Sequence, residues 1–192
     1  DAEGAKRSHR FVRGLMRSPA SLTYGEVQAA MDGAPDDRTG PLLDPVIRPL
    51  YAAYAALEAA RKRRHPLNLD LPERKVVLSD EGKVLSVNFT ERLDAHKLIE
   101  EFMVLANVAA AETLIAKKSP LLFRVHEEPS PEKLETLRDV AETAGLKLAK
   151  GQVLKTAHLN ALLNAAQDTD HSEVINISTL RAMTQAYYAP SN

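Results

Sequence analysis

The chain has 192 residues, 44% of them hydrophobic, and 25 Lys and Arg against 26 Asp and Glu give a formal net charge of −1. That length suits one domain, or a large piece of one, with a real core. Zero Cys excludes a disulfide scaffold, a thiolate zinc site and a cysteine nucleophile. The hydrophobic fraction excludes a mostly disordered chain. The near-neutral total argues against a polybasic nucleic-acid binder while leaving room for a local basic face. No apolar run reaches about 18 residues, and residues 1–17 lack the apolar core of a secretory signal. The expectation is a cytoplasmic protein without a membrane span. The first residue is Asp rather than Met, so processing or truncation is expected.

In chain order, Asp1-Ala2-Glu3-Gly4 reads as a turn. Residues 6–17 read as a strand, with Phe11 and Leu15 on one face and Val12 and Met16 on the other. A turn and one strand make half a hairpin, as expected of a piece of something longer. Thr23-Tyr24-Gly25-Glu26 fits a capping box and opens a short helix to Met31. Residues 32–40, rich in Gly, Pro and Asp, form a loop. Leu43, Ile47, Leu50, Tyr54 and Leu57 recur at helical spacing and predict an amphipathic helix ending in Arg61-Lys62-Arg63-Arg64, before Pro66. Residues 75–78 and 84–89 are β-type runs around a turn, a hairpin signal. Residues 98–117 are apolar nearly all round and predict a buried central helix. A short strand follows over 121–125. Ser130 as N-cap and Pro131 at the first helical position open a helix to Ala144, stopped by Gly145. Further helices are predicted over 156–166 and 172–187. There is no repeat and no low-complexity segment. The class is mixed α/β and helix-rich.

Some positions admit both a chemical and a structural reading. His96, Glu100 and Asn107 share one stripe of the central helix. A carboxylate beside so apolar a run either faces a polar cleft or sits in the first helical turn, where the dipole favours it. His96 and Glu100 have the i, i+4 spacing of a ligand pair, but no third metal ligand stands at a telling distance. Lys6, Arg7, Arg10, Arg13 and Arg17 form either a phosphate-contacting face or an edge protected by charge. The run Arg61 to Arg64 reads as a solvated helix end. Tyr24 either packs in the core or projects into a cleft, where aromatics stack on bases or meet riboses. No phosphate-binding loop, dinucleotide fingerprint, zinc-protease motif or nucleophile elbow is present. No cluster of Asp suits paired metal ions.

Several stretches, taken in order, resemble a known family. They are Arg7-Ser8-His9-Arg10-Phe11-Val12-Arg13-Gly14, then Leu22-Thr23-Tyr24-Gly25-Glu26-Val27. Next comes Asp94-Ala95-His96-Lys97-Leu98-Ile99-Glu100-Glu101-Phe102-Met103-Val104-Leu105-Ala106-Asn107. Phe123-Arg124-Val125-His126-Glu127 and Leu180-Arg181-Ala182-Met183, leading to Ala186-Tyr187-Tyr188, complete the set. Together they resemble the RNB catalytic domain of the ribonuclease II and ribonuclease R family, most closely its ribonuclease R branch.

The resemblance implies a processive 3′-to-5′ exoribonuclease. Such enzymes release nucleoside monophosphates from single-stranded RNA by Mg²⁺-assisted hydrolysis of the two-metal type. It also implies that this chain is the middle segment of one RNB domain, residues 1–192. The metal-binding Asp cluster would lie upstream, and the catalytic Arg of an S-P-I-R motif downstream. On that view no catalytic residue and no metal ligand falls in this chain, which alone is expected to be inactive. Two RNA-binding roles do fall here. Tyr24 matches a Tyr that contacts a ribose near the RNA 3′ end, and Glu100 matches the Glu that works with it as a 2′-hydroxyl sensor. Leu69 stands near a position where relatives carry a base-stacking Phe, and Thr184 where relatives often carry Lys. The whole enzyme is expected to be a monomer. The rival reading is a non-catalytic helical interaction module.

Overall fold

Thr23 has extended backbone (φ −88°, ψ 159°) and caps the first helix. Its hydroxyl accepts from the Glu26 N–H at 3.3 Å, while the Glu26 carboxylate accepts from the Thr23 N–H at 2.6 Å. The predicted capping box therefore forms with both hydrogen bonds, and it opens α1 (Tyr24–Met31). The structure is a computed structural model and describes residues 1–71, 74–89, 91–149 and 155–190. They fold as two compact units. One comprises Asp1–Arg64 with Glu91–Ser119, the other His65–Thr90 with Pro120–Asn192.

In the first unit the predicted amphipathic helix arrives in three pieces. They are α2 (Gly40–Leu42), a π turn over Leu43–Ile47 and α3 (Arg48–Arg63). The interruption has a covalent cause. Pro45 and Pro49 lack N–H groups, so the carbonyls four residues before each lose their regular α partner, and a wider turn relieves the crowding. The predicted central helix is α4 (Asp94–Ala116). It buries Ala95, Leu98, Glu101 and Ala109, while Met103, Val104, Val108 and Ile115 are exposed. The expectation of a helix buried all round is corrected: among the described residues, its apolar surface exceeds what α1 and α3 cover.

Residues 5–18 carry no helix or strand, which corrects the predicted strand. A strand needs a neighbour to take up its N–H and C=O groups, and none pairs with this segment among the described residues. Its side chains bind α4 instead. Lys6 ion-pairs with Glu112, and the His9 Nε2 meets the Thr113 hydroxyl at 2.6 Å. Phe11, Val12, Leu15 and Met16 remain exposed. At the preceding turn Gly4 has φ +73°, and a Cβ there would collide with the carbonyl oxygen of Ala56 on α3. Only glycine meets both demands.

The second unit begins with the predicted hairpin. Strands β1 (Arg74–Leu78) and β2 (Val84–Phe89) pair antiparallel, with an irregularity between Val77 and Leu78. Gly82 supplies the positive φ of its turn (79°). Beyond them, β3 (Phe123–Val125) pairs antiparallel with β4 (Tyr187–Ala189). Three helices carry the core: α5 (Pro131–Thr143), α6 (Thr156–Ala166) and α7 (Ser172–Ala182). Leu137, Ala141, Leu159, Leu162, Leu163 and Ile175 are buried together among them. The last helix was predicted to reach 187 and stops at Ala182. Met183 turns extended (φ −67°, ψ 148°), and Tyr187 and Tyr188 join β3, where aromatic residues suit a pleated strand. The architecture is mixed α/β and helix-rich, with two small antiparallel sheets.

Leu67 and Leu69 pack on this core. Two asparagines hold their segment. Asn160 accepts from the Asn68 N–H at 3.0 Å and donates to the Pro66 carbonyl at 2.8 Å; Asn176 accepts from the Asp70 N–H at 2.8 Å. Leu69 is thus engaged in packing. Thr184 donates its hydroxyl to the Glu128 carbonyl at 3.1 Å.

Candidate nucleic-acid interface

The two residues singled out for RNA binding both lie in the first unit, on elements that pack together. The capping box fixes the start of α1 and sets Tyr24 as its first residue, 44% exposed. Its ring stacks on His96 of α4, with centroids 4.2 Å apart and planes 28° from parallel. His96 in turn is oriented by its own helix start, where the Leu93 N–H donates to Nδ1 at 3.2 Å. With Nδ1 as acceptor, the neutral ring carries its proton on Nε2. Glu100 follows one turn later on α4 and is half-buried. The stripe of His96 and Glu100 therefore runs beside Tyr24; Asn107, further along, is exposed.

The buried carboxylate of this helix is Glu101, not Glu100. Its side chain is 6% exposed and takes the Arg61 Nη1 at 2.6 Å. The same Arg61 nitrogen lies 3.6 Å from Oε1 of Glu100, whose Oε2 ion-pairs with Arg92. Burial opposes the charge on Arg61, but the hydrogen bond and charge of Glu101 outweigh it and raise its pKa. Arg61 therefore leaves the solvated helix end assigned to it and turns inward. Its position continued the apolar series at a step of four after Leu57, a signal the basic run obscured. Arg92 precedes the helix and had no periodic signal at all.

Gln28 ties the elements around Tyr24. Its side-chain oxygen accepts from the Tyr51 hydroxyl at 3.2 Å and from the Ala95 N–H at 3.2 Å, while its amide donates to Asp32 at 3.1 Å. Next to it lies an apolar cavity of about 170 Å³, lined by Leu22, Tyr24, Val27, Leu50 and Ile99 among others. Tyr54, buried nearby on α3, has its hydroxyl pushed up to about 12, chiefly by burial. The arrangement offers a half-exposed aromatic face and hydroxyl, with a fixed carboxylate on the adjoining helix. Such a set can meet a sugar or base edge through stacking and hydrogen bonds.

Among the basic residues of the N-terminal segment, Lys6 and Arg7 are held by Glu112 and Asp1. Arg10, Arg13 and Arg17 are exposed. Among the described residues no three His, Asp or Glu cluster to hold a metal ion, and no helix is long and apolar enough to cross a membrane.

Known proteins resemble this chain over its whole length. It matches the RNB domain over residues 1–192. It is 34% identical to ribonuclease R of Escherichia coli K12 over all of this chain and 24% of that protein. The corresponding enzyme of Aquifex aeolicus is 31% identical, over all of this chain and 27% of that protein. The chain thus spans about a quarter of the length of these relatives. The fold agrees with Mycoplasma genitalium RNase R solved in complex with ribose-methylated single-stranded RNA. That match has a TM-score of 0.75 and 23% identity, and covers 88% of this chain and 26% of the other. The same enzyme in complex with double-stranded RNA matches with a TM-score of 0.74 and 24% identity. With the motif stretches in family order and the RNB match unbroken from first residue to last, the chain belongs to the RNB domain family.

Proposed function

We propose that the protein is a ribonuclease R-like 3′-to-5′ exoribonuclease. These residues would form the middle of its catalytic domain and part of the channel that takes single-stranded RNA. The observation that carries this reading is the RNB match over residues 1–192; relatives of the same name and the fold of an RNA-bound RNase R support it. The rival helical interaction module is not favoured, because no part of the chain falls outside that match.

Within the reading, Tyr24 and Glu100 recognise the ribose near the RNA 3′ end. Glu100 accepts a hydrogen bond from the 2′-hydroxyl; DNA offers no such donor. Tyr24 packs against the sugar and presents its hydroxyl to it, its ring held by His96. Magnesium enters only through the family. The resemblance puts its ligands elsewhere in the enzyme. The whole enzyme is read as a cytoplasmic monomer.

The test is a pair of substitutions in the full-length enzyme. Tyr24→Ala with Glu100→Ala should narrow the preference for RNA over a DNA strand of the same sequence by about tenfold or more, the worth of a charge-assisted hydrogen bond. Initial rates on both strands measure it. An unchanged preference would show that these residues do not sense the sugar. As a control, the isolated 192-residue chain with Mg²⁺ should release no monophosphates.

A further inference from the structure

A glutamate that must meet one hydroxyl among many along a moving strand gains from being held before the strand arrives. A free Glu side chain loses much of its rotamer freedom when fixed, and holding it in advance removes that cost from binding. Glu100 is half-exposed on the surface of α4, yet both its oxygens are engaged. Arg92 reaches Oε2 from the chain just before the helix. Arg61 faces Oε1 from α3 at 3.6 Å, and is itself fixed by buried Glu101 at 2.6 Å. The two arginines approach from different elements and different oxygens: Arg92 makes the hydrogen bond, and the charge of Arg61 at 3.6 Å favours one rotation of the carboxylate. A carboxylate has about four acceptor sites, so the grip leaves room for one more donor.

We propose that Arg92 and Arg61 are positioning residues for Glu100, aiming its carboxylate at the incoming ribose 2′-hydroxyl. The proposal rests on the reading of Glu100 given above. The two arginines differ in what else they do. Arg61 also neutralises Glu101 and so supports the fold. Arg92 is 57% exposed, with Glu100 its acidic partner among the described residues. An exposed pair of this kind adds little to stability, so Arg92 can be changed in a protein that still folds.

The experiment uses the full-length enzyme with Arg92→Ala, Arg92→Lys, Glu100→Ala and the double variant Arg92→Ala/Glu100→Ala. The substrates are an RNA oligonucleotide and its twin with 2′-deoxy residues at the 3′ end, with KM and kcat measured separately. Arg92→Ala should lower the RNA-to-deoxy ratio of kcat/KM about fivefold, through the RNA value alone, as part of the ordering cost of a freed Glu100 returns to binding. Arg92→Lys should recover at least half of that loss. In the Glu100→Ala background, removing Arg92 should change the ratio no further. Equal losses on both substrates would assign Arg92 to phosphate binding and overturn the proposal, as would additive losses in the double variant. If Glu100→Ala alone leaves the ratio unchanged, the reading of Glu100 fails first and the proposal falls with it.

Discussion

The two units of this chain are held together by different means. In the second, Leu137, Leu159, Leu162, Leu163 and Ile175 meet in a leucine-rich core, and the polar groups that serve it (Asn160 and Asn176) pin a passing segment to its edge. The first has few large buried side chains. Ile47, Tyr54 and Leu98 are buried, but much of the cohesion is polar: Gln28 between three helices, Arg61 on Glu101, Asp36 on Thr39. It is also the unit that carries Tyr24 and Glu100, and the one that leaves Phe11, Leu15, Met103 and Val108 exposed. Apolar packing is indifferent to small rotations, whereas hydrogen bonds and ion pairs are directional. A region that must hold a carboxylate and an aromatic ring in register is better fixed by the second kind.

Substitutions at three places can break or sharpen this contrast. The largest effect is expected where packing dominates. Leu137→Ala, at a site 1% exposed, should cost about 2–5 kcal/mol by leaving a cavity, read from the denaturant midpoint at unchanged slope. Next, Glu101→Gln should destabilise the first unit through the charge it leaves on Arg61. The loss should stay below the ~3–5 kcal/mol of a fully buried pair, since Arg61 is one-third exposed. The double replacement Glu101→Leu with Arg61→Met should cost less than either single change; costs that simply add would show that the pair is not a unit. The smallest effect concerns the cap. Thr23→Ala should cost about 1 kcal/mol. The cap also has a pH signature. Hydrogen bonds from Thr23, backbone first, lower the pKa of Glu26, with a smaller contribution from Arg38. The stabilisation is therefore present above the ordinary carboxylate pKa and fades as the pH falls through the lower folded value. Glu26→Gln should flatten that acid limb of the stability curve; an unaltered limb would place its origin elsewhere.

Much of the fold is legible in the sequence because its signals are local. Thr23 and Glu26 are three residues apart and satisfy each other. Ser130 and Pro131 begin α5, and Gly82 turns the hairpin, for reasons contained in a few residues. What escaped depends on distant partners. Residues 6–17 alternate like a strand but find no neighbour to pair with among the described residues. Tyr187 and Tyr188 continue a helical pattern until Arg124 and Val125 offer a strand, some sixty residues away in sequence. At the candidate site, the place of Tyr24 at the start of α1 was legible from its cap. Which of Glu100 and Glu101 is buried was not: adjacent residues on a helix differ by about 100° in direction, and the packing of α3 decides which one turns inward.

The π turn over Leu43–Ile47 acts as a phase adjuster for everything after it. A π turn holds one residue more than the α turn it replaces, so it advances the following helix by about 100°. Removing a single residue there would rotate Tyr54 and Arg61 together, carrying the phenol away from its buried seat and the guanidinium away from Glu101. Helix lengths elsewhere on the surface can drift through insertion and deletion; the stretch from Gly40 to Arg61 is a ruler whose length is fixed to the residue.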